Sequence, residues 1–68
     1  MKLQIETDRE TDGRWIAEIQ SLPGVMTYGS TEDDAIQKVM SLTLRVIADK
    51  YENGEISEKR VEISFACS

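Results

Sequence analysis

The sequence predicts a small α+β domain with the element order β-β-β-α-β, an antiparallel sheet with one helix packed across a face. Three observations predict it. Two stretches near the start alternate polar and apolar residues with period two. A long segment free of Gly and Pro, from Ser30 to Asn53, carries apolar residues at helical spacing. A last alternating run, Val61-Glu62-Ile63-Ser64-Phe65, closes the chain as a fourth strand.

The first strand is read over 2–8, with Leu3 and Ile5 inward and Lys2, Gln4 and Glu6 outward. The polar stretch Arg9-Glu10-Thr11-Asp12-Gly13 ends in Asp-Gly, a strong hairpin signal. The second strand follows at 14–20. Its alternation puts Trp15, Ala17 and Ile19 on one face and Arg14, Ile16 and Glu18 on the other. Leu22-Pro23-Gly24 reads as a turn. A short third strand, Val25-Met26-Thr27-Tyr28, ends at Gly29, and it is too short to fix which way Tyr28 faces.

Ser30 or Thr31 caps the helix, with Asp33 or Asp34 as a shortened capping-box acid. Glu32, Asp33 and Asp34 set negative charge against the positive end of the helix dipole, and Gly54 ends the segment. Placed on a helical wheel, Ala35, Val39, Leu42, Thr43 and Val46 form one stripe, and Ile36, Met40, Leu44, Ile47 and Tyr51 form a second beside it. Together they cover roughly 200°, about twice what a helix on one small sheet needs. Either another chain meets the second stripe, or loops and the last segment of this chain cover it. The second stripe is accordingly the expected oligomer interface.

Size argues for association. With 68 residues there is room for one domain, 1–68. Such a chain buries only about 60% of the surface its unfolded form exposes. Disulfides, metals or partner subunits usually stabilise domains of this size. Cys67 is the sole cysteine and histidine is absent, so an internal disulfide is excluded and a structural zinc nearly so. A homo-oligomer, dimer or tetramer, or a complex with another protein is expected.

Charge narrows the partner. The net charge is −5, from 8 basic and 13 acidic residues, with Lys59-Arg60 the only adjacent basic pair. Nucleic-acid binders use Lys and Arg to displace condensed counterions, so direct nucleic-acid binding by this chain is not expected. A basic protein is the better match. No apolar stretch reaches the length of a signal peptide or a membrane span, which points to a cytoplasmic protein without membrane contact.

The search for chemistry returns no catalytic residue, no cofactor and no metal site. Without histidine the commonest general base near neutral pH is missing, and Cys67 lacks a rigid setting beside a base. Asp8-x-Glu10-x-Asp12-Gly13 begins like a calcium loop, but Ile19 stands where a bidentate Glu is required. Glu32-Asp33-Asp34 is better explained as helix capping than as a magnesium site. No enzymatic activity is expected.

One resemblance joins these observations. Asp12-Gly13-Arg14-Trp15-Ile16-Ala17-Glu18-Ile19, then Leu22-Pro23-Gly24-Val25, then Gly29-Ser30-Thr31 and Asp34-Ala35-Ile36 together resemble the N-terminal domain of HicB-family antitoxins. The family pattern is D-G-x-aromatic-x-A, an L-P-G-V or L-P-G-C turn, and G-x-T-x-x-E-A at the helix start. Asp34 departs from it where Glu is usual, a change that preserves capping. The resemblance implies a partial ribonuclease-H-like fold without catalytic carboxylates. It also implies a HicA-like partner: a small basic mRNA-cleaving toxin with a double-stranded-RNA-binding-type fold, whose active site the antitoxin masks. Many members carry a following DNA-binding domain. None is expected here, so operon repression by this chain alone is not expected either. The candidate toxin contacts are the outward residues of the first two strands and their hairpin: Glu6, Asp8, Asp12, Arg14, Ile16 and Glu18. The alternative is an orphan oligomeric interaction module with no toxin.

Overall fold

The computed structural model describes residues 1–67. Its elements are β1 (Lys2–Arg9), β2 (Trp15–Ile19), β3 (Met26–Gly29), α1 (Glu32–Glu52) and β4 (Ser64–Cys67). Among the described residues they form one four-stranded sheet in the order β3-β2-β1-β4, with α1 packed across it. The expected α+β class and element order are observed.

The pairing is mixed, whereas a wholly antiparallel sheet was expected. β1–β2 and β2–β3 are antiparallel, but β4 runs parallel to β1, with Leu3 beside Phe65 and Ile5 beside Cys67. Chain direction explains this. Two hairpins make β3 parallel to β1, and a single helix then returns the chain to the end from which β3 started. The next strand must run the same way as β3, and hence as β1.

β4 also begins later than the alternation at 61–65 suggested. The register sets Lys2 opposite Ser64, so residues 61–63 lie ahead of the start of β1 and have no strand to pair with. Only Met1 reaches that segment: its amino group donates to the Glu62 carbonyl, and its own carbonyl accepts from the Ser64 N–H. Phe65 keeps the expected inward phase and packs on the core.

Period two fills the core from the sheet side. Leu3, Ile5, Ala17 and Ile19 are buried, and Trp15 packs half-buried at their margin, as its phase predicted. From the helix come Ala35, Val39, Thr43 and Ile47, each four residues after the last. This ridge, not either of the two expected stripes, is the buried line. An i, i+4 row drifts around the helix by about 40° per step at about 100° per residue. It therefore starts in the first stripe and ends in the second, and Ile47, expected at an oligomer interface, lies in the chain's own core. Ile36 and Met40 are half-buried at the core's edge, while Leu44 and Tyr51 are exposed.

Both helix ends are closed by local chemistry. Thr31 is the N-cap, its hydroxyl accepting from the Asp34 N–H at 3.0 Å, and the Asp34 carboxylate accepts from the Ser30 N–H at 3.2 Å. At the other end Gly54 adopts φ +75°, which lets its N–H reach the Tyr51 carbonyl and that of Glu55 reach Lys50. These two bonds form a Schellman closure.

Asp34 also receives Lys38 at 3.1 Å, and the lysine first, then the Ser30 N–H, holds its carboxyl below the usual 3.8. A depressed folded pKa gives stability that is present above pH 3.8 and lost as pH falls below it. Asp34→Asn should therefore be less stable than the parent at pH 7, with the difference closing on acidification. Urea midpoints at several pH values test this, and a gap that persists in acid would refute it.

Thr43 is the one buried polar side chain in the core, and its hydroxyl donates to the Val39 carbonyl at 2.6 Å. That carbonyl also serves the helix ladder, so the hydroxyl satisfies itself without holding a second element. Thr43→Val should shift stability by less than about 1 kcal/mol. A loss in urea above about 2 kcal/mol would mean that the hydroxyl does more than back-bond.

The molecule is extended for its length. Its radius of gyration is 12.9 Å, against about 11 Å for a compact chain of this size. Its accessible surface is 4962 Å², where a 7.7 kDa monomer usually shows about 4,300 Å². The helix accounts for much of this. At about 31 Å it outreaches the short strands beneath it, and no helix residue after Ile47 is buried.

Candidate protein-binding face

Because α1 covers one side of the sheet, the other side is open. Register arranges its side chains into rows. Asp8 lies opposite Ile16, which lies opposite Tyr28; Glu6 lies opposite Glu18, which lies opposite Met26. The face thus grades from carboxylates on β1 to apolar side chains on β3. Met26 and Tyr28 are 46% and 40% exposed, too much for either to serve as core.

Four of the six sequence-predicted contacts, Glu6, Asp8, Ile16 and Glu18, are neighbours on this face. The other two sit at its hairpin end as a unit. Asp12 accepts from the Arg14 backbone N–H at 3.1 Å and from its Nε at 2.8 Å. These bonds, the backbone one first, hold the Asp12 carboxyl below its ordinary value. The Arg14 guanidinium in turn lies 4.5 Å from the centre of the Tyr28 ring. Arg14 is thus occupied by its own chain, and the charge left to meet a partner is negative.

The carboxylates differ in how they are held. Glu6 accepts from the Gln20 amide at 2.6 Å, and Asp8 accepts from the Arg9 N–H at 2.9 Å. For Glu18 no hydrogen bond or ion pair is present among the described residues, although it directly faces Glu6. Like charges directly opposite on a sheet are destabilising. A shallow cleft of about 470 Å³ adjoins this pair, bordered by Glu18, Leu22, Pro23, Val25 and Met26. It sets a carboxylate beside apolar walls, a setting suited to a long basic side chain.

Sequence reasoning missed Met26 and left Tyr28 unsettled. The available signal was Gly29: a residue that must abut the helix start faces inward, so Tyr28 before it and Met26 before that face outward together. The acidic helix start is used structurally, since Asp34 caps and Glu32 accepts the Thr7 hydroxyl at 2.8 Å. No group of three or more His, Cys, Asp or Glu side chains among the described residues is arranged to hold a metal ion. No helix among them is long and apolar enough to cross a membrane.

Compared with models of known protein families, with curated proteins and with solved structures, the chain returned no match. The fold and this face define an α+β chain with an open, acidic and partly apolar sheet surface.

Proposed function

We propose that this chain is a non-catalytic, antitoxin-like protein of the HicB kind. In this reading it binds a small basic HicA-type mRNA-cleaving toxin through the open sheet face and masks the toxin's active site. The observation that carries the reading is the facing pair Glu6 and Glu18 beside exposed Met26 and Tyr28. An arrangement that works against the isolated fold is best explained by a partner that completes it. Basic groups would neutralise the pair, and the adjoining apolar side chains would exclude water from the contact. The ordered D-G, L-P-G-V and G-x-T motifs support the same reading. It requires no cofactor and no nucleic-acid contact by this chain, and it places the protein in the cytoplasm, where mRNA is the toxin's substrate.

The test is co-expression with the small basic protein encoded beside this gene, followed by pull-down and an RNA-cleavage assay. A stable complex that suppresses cleavage, and that weakens as salt is raised, is the expected result. A basic neighbour that neither binds nor cuts RNA would overturn the reading and leave an orphan interaction module.

A further inference from the structure

We propose that a second copy of this chain packs on the exposed flank of α1, the two helices running antiparallel about a twofold axis beside Leu44. The charges of α1 are unevenly placed. On a wheel of about 100° per residue, Asp34, Lys38, Arg45, Asp49 and Glu52 crowd into an arc of about 60°. Next to the core ridge lies a broader exposed arc made of Gln37, Met40, Ser41, Leu44, Ala48 and Tyr51, none of them charged. Leu44 at its centre is 48% exposed, and Tyr51 is 36% exposed. A helix face that only meets water has no reason to exclude charge over three turns.

Three observations select a second copy as the occupant. The flank offers nothing to a basic partner, because the carboxylates that would attract one lie on the open sheet face. A twofold axis at Leu44 sets each Met40 against the partner's Ala48, a large side chain over a small one, as an isologous contact needs. The surface in excess of a typical monomer, about 600 Å², approaches the roughly 800 Å² per partner of a stable interface. The antiparallel sense follows from Glu32, Asp33 and Asp34 in the first turn. Parallel helices would bring two such clusters together, whereas antiparallel ones hold them about a helix length apart and oppose the two dipoles favourably.

The proposal stands apart from the toxin reading, since Leu44 and the open sheet face are on different elements. Sedimentation equilibrium of the whole chain at about 100 µM should give twice 7.7 kDa. Leu44→Glu would place two carboxylates at the axis and should weaken dimerisation by about 100-fold, with the circular dichroism of the monomer unchanged because the site is exposed. In a Cys67→Ser background, Leu44→Cys should oxidise to a covalent dimer, while Arg45→Cys on the charged arc should not. A monomer at that concentration, a dimer indifferent to Leu44→Glu, or equal cross-linking from position 45 would each overturn the proposal. Toxin binding that survives Leu44→Glu, and a dimer that survives charge reversal at Glu18, would show that the two surfaces are independent.

Discussion

Gly29→Ala is expected to unfold most of the protein at 25 °C. Gly29 ends β3, and any Cβ built there would lie 2.8 Å from the Ala35 Cα and 2.9 Å from the Asp34 carbonyl carbon. Both are backbone atoms, so no side-chain rotation relieves the clash. The first turn of α1 is tied down by the Thr31 cap and by the Thr27 hydroxyl, which donates to the Ala35 carbonyl at 2.9 Å. Relief therefore means lifting the helix start off the sheet, which opens the core at Ala35 and Val39. Overpacking of this kind costs about 3 kcal/mol, and a core of this size rarely supplies more than about 3–5 kcal/mol in total. Trp15 fluorescence and helical dichroism should both report loss of structure before urea is added. A midpoint within about 0.5 kcal/mol of the parent would show that α1 does not approach β3 as closely as described.

The elements that local chemistry decides were legible in the sequence. The helix carries its own caps, its acidic first turn and its terminating glycine, and the β1–β2 hairpin carries period two and an Asp-Gly signal. Because those signals fix which side of each strand faces the core, Glu6, Asp8, Ile16 and Glu18 could be placed on one face in advance. What was not legible depends on contacts far apart in sequence. The start of β4 is set by where β1 begins, and its parallel sense by the return path of α1. The outward facing of Met26 and Tyr28 is set by the contact between Gly29 and Ala35, and the burial of Ile47 by the line along which the helix meets the sheet. A wheel divides apolar residues into stripes, but a packed ridge crosses those stripes, and only the packed structure shows where.

Charge reversal on the open face should separate folding from binding. Glu6 and Glu18 face each other across β1 and β2, and their side chains lie on the side away from α1. In Glu18→Lys the like-charged pair becomes an opposite-charged one, which should stabilise the fold by roughly 0.2–1 kcal/mol. Affinity for a basic partner should fall at the same time, since a charge that attracted it now repels it. With Glu6→Lys added, the like-charged pair is restored with positive sign, so stability should return to near the parental value. The partner would then meet two repulsive charges, each costing more than its lost attraction alone, and affinity should drop by at least about 100-fold at low salt. Raising salt should shrink that gap, because screening weakens repulsion and attraction alike. Urea midpoints and titration calorimetry on the same preparations would measure both effects. A protein more stable than the parent that binds its partner less well places the pair in the binding surface. Unchanged affinity in the double variant would remove the open face from the proposal, whatever the effect on stability.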